Sequence, residues 1–230
     1  MKTENITDNP FRLNAAIAGV LFIIGTASGV LSAAIGKPLV DAPDYLGKLA
    51  SNEGTILLAS LLQFIMGVSC AGIGLALYPI LKKYAEGRAI ASVGFRIIEG
   101  VLEILGAVAL IVLLALSREF LKEGGPDASF FQTAGSVIKG GTAWINNVAT
   151  LLSWCIGALL YYSVFYRYRL VPRWISLWGL LGISLTIVSC FTVMFGVIPA
   201  FGTVQVVSNL PIALQEMFFA VWLIAKGVKK

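Results

Sequence analysis

Three charged residues interrupt one long apolar stretch, 89–116. Arg96, Glu99 and Glu103 are separated by three and four residues, so a helix places all three side chains on one face. A charged side chain in a bilayer interior costs at least about 2.5–3.5 kcal/mol. These residues therefore predict a polar interior in which charges pair with each other, bind a ligand or exchange protons.

Polar residues in two other apolar stretches could face this helix. Gln63 lies in the preceding stretch, and Gln215 and Glu216 lie in the last one. At about 1.5 Å of rise per residue, Glu99 lies near mid-membrane and Glu216 reaches the same level from the other side. We therefore expect Arg96 to pair with Glu99, with Glu216, or with both. The predicted ligand-binding or polar cluster comprises Arg96, Glu99, Glu103, Glu216, Gln215 and Gln63.

The charges of this cluster do not balance. Three carboxylates against one guanidinium leave a net charge of minus two when all four groups are ionised. Protons or a bound cation must compensate that charge, and transporters use both for coupling. The alternative is structural: a buried Arg–Glu pair sets the register of the helices, and Glu103 extends towards a polar cavity.

Catalytic and metal-binding motifs are missing from the sequence. There is no histidine, which excludes His-based metal sites, His-ligated haem and Ser-His-Asp triads. The sequence has no G-x-S-x-G, H-E-x-x-H or phosphate-binding Gly-rich motif. Cys70, Cys155 and Cys190 lie in apolar stretches without C-x-x-C spacing and are expected to be buried. We therefore expect no cofactor, no metal and no enzymatic activity.

The helices that would position these residues follow from the composition. The 230-residue chain is 58% hydrophobic and 13% charged, whereas soluble domains average about 25% charged residues. The net charge of +5 does not indicate nucleic-acid binding, because the basic residues cluster in short loops between apolar stretches. The sequence predicts an all-α transmembrane bundle, one domain over residues 1–230, with six spans at about 14–35, 55–81, 89–116, 142–165, 174–195 and 204–225.

Two of the connections contain amphipathic segments. Asp44 is predicted to cap a short interfacial helix with Tyr45, Leu46 and Leu49 on one side. After the break at 124–126, Asp127 stands at an N-cap position, and apolar residues follow at helical spacing from Phe130 onwards. This pattern predicts a second helix on the membrane surface, or alternatively a lid over a cavity.

The distribution of basic residues predicts the orientation. The two ends of the chain and the turns at 82–88 and 167–173 hold eleven Lys and Arg, and the other connections hold five. Basic residues are enriched on the cytoplasmic side. Both termini are therefore predicted to be cytoplasmic, in the bacterial inner membrane.

Two segments and one turn carry a family resemblance. They are Gly94-Phe95-Arg96-Ile97-Ile98-Glu99, the stretch from Pro211 through Glu216 to Gly227, and the turn at Pro172-Arg173. With them, nearly the whole chain resembles the bacterial domain-of-unknown-function 4386 family of six-span membrane proteins. The resemblance implies that Arg96, Glu99 and Glu216 occupy recurring polar positions of the family, and it implies no activity. Glu103 departs from the family pattern.

These observations lead to one functional hypothesis and two alternatives. The protein is expected to bind or transport a small cationic or amphiphilic molecule, or protons, in a polar pocket between the third and sixth spans. Its partners would be the lipid bilayer and that ligand, with no nucleic acid. The first alternative is a structural or regulatory membrane protein whose charged cluster only holds the helices together. The second is an intramembrane enzyme that acts on lipid.

Overall fold

The computed structural model describes residues 10–123, 128–200 and 202–229, and in these ranges the chain is 90% helical and has no strand. The all-α prediction is thus confirmed. A π-helical turn, Ile145–Ala149, joins the fourth α-helix directly to the fifth. The α-helices of these ranges are α1 (Arg12–Val40), α2 (Tyr45–Ser51), α3 (Glu53–Glu123), α4 (Ala128–Trp144), α5 (Thr150–Tyr168), α6 (Arg173–Met194) and α7 (Thr203–Ala225).

Both amphipathic segments form helices. The short helix is α2, where Asp44 takes the N-cap position without a capping side-chain bond and approaches Lys48 to 3.5 Å instead. The second is α4, which continues into α5 through the π-helical turn, although the sequence predicted a connection as far as residue 141. The predicted break at 124–126 and the N-cap at Asp127 lie outside the described residues.

The predicted second and third spans are the two arms of α3. The helix is broken at Ala85, whose φ of −159° and ψ of 79° are not helical. The arms, residues 53–84 and 86–123, fold back on each other: Ser60 Oγ donates to the Ala107 carbonyl at 2.9 Å. The predicted basic turn is therefore a single non-helical residue, because the charged residues on both sides of it continue the helices.

In the part of the chain that the structure describes, five helices are long and apolar enough to cross a membrane. This count treats the two arms of α3 as one helix, whereas the sequence predicted six spans. Each arm is longer than the about 20 residues that the hydrocarbon core of a bilayer requires. Large apolar side chains such as Leu13, Val30 and Leu181 are exposed around the bundle, and this surface suits lipid.

The long helices close into a ring around an aromatic core. The backbone of α1 packs against α3 and α7, α6 packs against α5 and α7, and α5 packs against α3. The centre is filled by the buried rings of Phe22, Tyr161, Tyr162, Phe165 and Phe219. The Phe219 ring lies edge-on to Phe22 at 5.7 Å and to Phe165 at 5.3 Å.

The two ends of the bundle differ in charge. At the first, Arg12 Nη1 donates to the Leu223 carbonyl at 3.1 Å, and the amide of Lys229 donates to the Leu170 carbonyl at 2.8 Å. The Tyr84 and Tyr168 rings are in contact there at 5.1 Å, so both basic turns join this end. We call it the basic end, and we call the other, which holds α2 and α4, the amphipathic end.

Most basic residues of the amphipathic end have acidic partners. Among the described residues, four ion pairs lie at this end and one, Lys82–Glu86, lies at the basic end. The four are Lys37–Asp41, Lys48–Asp44, Arg118–Glu53 and Lys122–Glu119. Among the described residues, the excess of positive charge is therefore concentrated at the basic end.

Candidate functional site

Arg96 and Glu99 form a buried ion pair on the downstream arm of α3. Arg96 is 2% exposed and Glu99 is 4% exposed, and Arg96 Nη1 lies 3.0 Å from Glu99 Oε2. Arg96 Nε donates to the Cys70 carbonyl at 3.2 Å, and the guanidinium carbon lies 5.8 Å from the centre of the Phe22 ring. The guanidinium is therefore held by a carboxylate, a carbonyl and an aromatic face.

Two glycines make room for the Arg96 side chain. A Cβ at Gly74, on the upstream arm of α3, would lie 2.9 Å from Arg96 Cβ. A Cβ at Gly157, on α5, would lie 3.4 Å from Arg96 Cδ. The aliphatic part of Arg96 thus packs between two helices, which fixes the direction of its charged group.

Glu103 is paired with an amide rather than with a cation. It is buried one turn beyond Glu99, and Gln63 Nε2 on the upstream arm donates to Glu103 Oε2 at 3.2 Å. The glutamine was predicted as a cluster member, and the antiparallel packing of the two arms brings it to this carboxylate. Glu103 therefore has a neutral hydrogen-bond donor beside it.

The π-helical turn adds an amide to the Gln63–Glu103 pair. A Cβ at Gly106 would approach Gln63 Nε2 closely and would lie 2.7 Å from Asn146 Oδ1, so both amides lie against this glycine. Asn146 Oδ1 is buried without a hydrogen-bond partner among the described residues. Asn147 in the same turn donates to the Ala143 carbonyl at 2.8 Å. π-Helical turns recur at functional sites, and this one presents an unpaired acceptor inside the bundle.

Glu216 lies apart from Arg96. It is partly buried, and its Oε1 accepts a hydrogen bond from Trp154 Nε1 at 3.1 Å and one from the Tyr161 hydroxyl at 3.5 Å. No ion pair within 4.0 Å joins Glu216 to Arg96. Of the two partners expected for the guanidinium, the structure supplies Glu99 alone.

The spacing of the helices explains this separation. In the described ranges α3 and α7 are not neighbouring helices: α1 packs against both of them, and α5 packs against α3. Phe22 of α1 and Tyr161 of α5 are in edge-to-face contact at 6.4 Å and fill the space. The predicted pocket between the third and sixth spans is thus occupied at this level by aromatic side chains.

Gln215 takes part in helix packing rather than in the carboxylate groups. Its Oε1 accepts from the Tyr162 hydroxyl at 2.7 Å, and its Nε2 donates to the Ile175 carbonyl at 3.0 Å. The side chain is completely buried and links α7 to α5 and α6. Both polar ends of Gln215 are satisfied, so it has little capacity left for a ligand.

The six predicted residues therefore fall into four groups: Arg96–Glu99, Gln63–Glu103, Glu216 and Gln215. Sequence reasoning missed the indole and hydroxyl donors of Trp154 and Tyr161. Their one visible signal is that both can donate from within an apolar helix, but Tyr161 near the end of a predicted span is equally typical of an interfacial belt. Only the folded structure shows that these donors point to Glu216.

Of the described carboxyl groups inside the bundle, Glu103 and Glu216 are the two that form no ion pair within 4.0 Å. Within the described part of the chain, neither has a basic group within 4.0 Å, and the hydrogen bonds that each accepts come from neutral donors. The Arg96–Glu99 pair is already balanced. Chemically, the two carboxyl groups can bind a cation or exchange protons. Across the described ranges, no three Cys, Asp or Glu side chains are grouped to hold a metal ion.

Comparison with known proteins yields one match. The family model described as "Domain of unknown function (DUF4386)" matches residues 17–227. No curated protein and no solved structure matches the chain.

Proposed function

The chain belongs to the DUF4386 family and is an integral membrane protein, and from this premise we propose that it binds or transports a small cationic or amphiphilic molecule, or protons. The ligand would interact with carboxyl groups inside the helical bundle. The protein has no enzymatic role in this proposal, and its other partner is the lipid bilayer.

One observation carries the proposal: Glu103 and Glu216 are enclosed to different degrees, and each is held by neutral donors rather than by a cation. Uncompensated charge in a low-dielectric interior is costly. A proton or a cationic ligand would remove that cost. The Gln63 amide that binds Glu103 lies against Gly106 together with Asn146 Oδ1, a further acceptor that is buried without a hydrogen-bond partner among the described residues. Carboxyl and amide oxygens at one level of the bundle favour a positively charged ligand.

The proposed topology has six spans, with both termini in the cytoplasm of the inner membrane. The two antiparallel arms of α3 would each cross the bilayer, because each is long enough and together they carry the polar groups on facing sides. The start of α1, the end of α7 and both basic turns lie at one end, and that end holds most of the described basic residues that have no ion pair. This asymmetry supports a cytoplasmic position for that end.

The enclosure of Arg96 and Glu99 favours a structural role for this ion pair. It is almost completely enclosed and internally balanced. We therefore assign this pair to helix packing, and we assign ligand or proton exchange to Glu103 and Glu216. A protein in which all three carboxyl groups were structural is the competing proposal.

The test uses purified protein in a neutral detergent, with tetraphenylphosphonium as the cationic amphiphile. Binding is measured by equilibrium dialysis, and proton release is followed with a pH dye in weak buffer. We expect the wild type to bind the probe and to release protons as it binds. Glu103→Gln or Glu216→Gln is expected to remove probe binding or proton release. Glu119→Gln is the matched control, because Glu119 is exposed and paired with Lys122 at the amphipathic end.

Two results would contradict the proposal. The first is a wild type that neither binds the probe nor exchanges protons. The second is that both interior variants behave like Glu119→Gln. Either result would favour the structural role for the whole cluster.

A further inference from the structure

A pocket of about 480 Å³ lies at the amphipathic end, and neither Glu103 nor Glu216 lines it. Ligand pockets of about 300–1,000 Å³ are typical of small-molecule sites. One wall comes from the start of α2 with Tyr45 and Leu46, and Phe120 of α3 also lines the pocket. The facing wall is α4, which contributes Gln132, Ser136 and Lys139. The pocket thus combines aromatic and aliphatic side chains with a polar wall.

The helix α4 has three distinct faces, and their positions relate the pocket to the lipid. Phe131 is buried against α2 and α3 on one face. Gln132, Ser136 and Lys139 recur every three or four residues and form the polar pocket face. Phe130 and Val137, seven residues apart, are 66% and 69% exposed. An amphipathic helix with such an exposed apolar face lies at the lipid headgroup level, so the pocket is within reach of lipid molecules.

The close approach of α2 and α4 builds the pocket wall. The Tyr45 hydroxyl donates to the Gln132 carbonyl at 3.3 Å. A Cβ at Gly135 would collide with the hydroxyl group of Tyr45 and lie 3.0 Å from its ring carbon Cζ. Lys139 Nζ lies 4.2 Å from the centre of the same ring. The tyrosine therefore holds the two helices together and positions the lysine at the pocket.

The pocket carries one positive charge that no ion pair neutralises among the described residues. Asp44 also lines the pocket, but it is paired with Lys48 at 3.5 Å. Lys139 has no acidic partner within 4.0 Å among the described residues, whereas the other four basic residues of this end all have one. An ammonium group beside the Gln132 amide suits a phosphate group, and the Ser136 hydroxyl, which donates to the Thr133 carbonyl at 2.8 Å, lines the same wall.

We infer that this pocket binds an amphiphile with an anionic phosphate headgroup, such as an anionic phospholipid. The phosphate would contact Lys139, with the Ser136 hydroxyl beside it. The apolar chain would lie along Phe120 and Leu46 and leave towards the lipid. This site is separate from the proposed cation or proton site, so neither proposal depends on the other.

The test places a fluorescent reporter beside the pocket. Thr133 is exposed on α4 and does not line the pocket, and the three native cysteines are buried. Thr133→Cys can therefore be labelled selectively with bimane. The labelled protein is placed in phosphatidylcholine nanodiscs that contain increasing fractions of phosphatidylglycerol, and the bimane emission shift is recorded. A parallel sample receives sodium phosphate in pure phosphatidylcholine nanodiscs.

We expect the emission shift to saturate with phosphatidylglycerol. In Lys139→Gln the lipid fraction at half-saturation should rise about fivefold, the effect of one basic residue near a membrane surface. Lys139→Arg should remain near the parent value. Lys122→Gln is the matched control, because Lys122 is a lysine of the same end paired with Glu119 at 2.7 Å. Ser136→Trp should fill the pocket and abolish the shift, whereas Val137→Trp on the exposed apolar face should not.

Three results would overturn the inference. Lys139→Gln and Lys122→Gln could change the titration equally, which would indicate a general surface effect. Ser136→Trp could leave the titration unchanged, which would place the lipid elsewhere. Sodium phosphate could reproduce the shift without phosphatidylglycerol, which would make the site one for a free anion and not for an amphiphile.

Discussion

Replacement of Arg96 by leucine is expected to destabilise the protein strongly. The guanidinium is enclosed, with Glu99 at 3.0 Å, and leucine would leave that carboxylate buried without a cation. The Cys70 carbonyl would also lose the hydrogen bond from Arg96 Nε. Removal of one partner from a buried ion pair costs about 3–5 kcal/mol. Because each kcal/mol lowers Tm by about 2–4 °C in a chain of this size, the expected decrease is about 6–20 °C.

The double variant Arg96→Leu/Glu99→Leu separates the lost charge balance from the lost packing. Apolar replacement of a whole buried pair is often neutral or stabilising. Leucine at position 96 would still occupy the space beside Gly74 and Gly157. We therefore expect the double variant to melt close to the wild type, well above the single variant.

The assay is thermal unfolding in a neutral detergent, with the remaining folded fraction measured by size-exclusion chromatography. Lys122→Leu is the control, because Lys122 is exposed and exposed pairs contribute about 0–1 kcal/mol. If Arg96→Leu and Lys122→Leu melt alike, Arg96 is solvated and the buried-pair argument fails. If the double variant melts as low as the single one, the guanidinium stabilises other groups besides Glu99.

Three further predictions follow from other parts of the structure. Tyr162→Phe should cost about 1–3 kcal/mol, because the Gln215 amide oxygen would lose its donor inside the core, and thermal melting measures the loss. Cysteines placed singly at Glu86 and Gly140 should differ in intact cells: an impermeant thiol reagent should label position 140 and not position 86, and the reverse would invert the topology. Burial raises the pKa of Tyr45 above its ordinary value. The folded state therefore keeps a proton that the unfolded state releases, so stability should fall as pH rises above the ordinary tyrosine range. Tyr45→Phe should flatten that fall in a melting series, and curves of the same shape would contradict it.

Much of the fold was predictable because membrane helices are specified locally. Apolar stretches of about 20 residues must form helices to satisfy their backbone groups in lipid. The helices α1, α6 and α7 lie where the apolar stretches predicted them. The arms of α3 and the short helix α2 also follow from local patterns. The continuity of α4 with α5 was not predictable, because the π-helical turn between them has no reliable sequence signal.

The contacts of the charged groups were likewise predictable within one helix but not between helices. Arg96 and Glu99 are three residues apart on one helix, so helical geometry alone brings them together. The partners of Glu216 come from a different helix, and their positions depend on how far α7 is rotated and at what height α5 crosses it. The sequence could therefore suggest Glu216 as a partner for Arg96, but it could not exclude that Glu216 accepts hydrogen bonds from other helices instead.

By itself, the sequence determined that this protein is a bundle of membrane helices with charged side chains directed inwards. It also determined the pairing within one helix turn, because that depends only on the rise and rotation of each residue. Tertiary structure decided which carboxyl group forms an ion pair and which ones accept hydrogen bonds from neutral donors alone. Packing is the physical reason: the Phe22 and Tyr161 rings separate α3 from α7, while Gly74 and Gly157 admit the side chain of Arg96. These contacts join residues far apart in the chain, and their geometry exists only after the helices have packed.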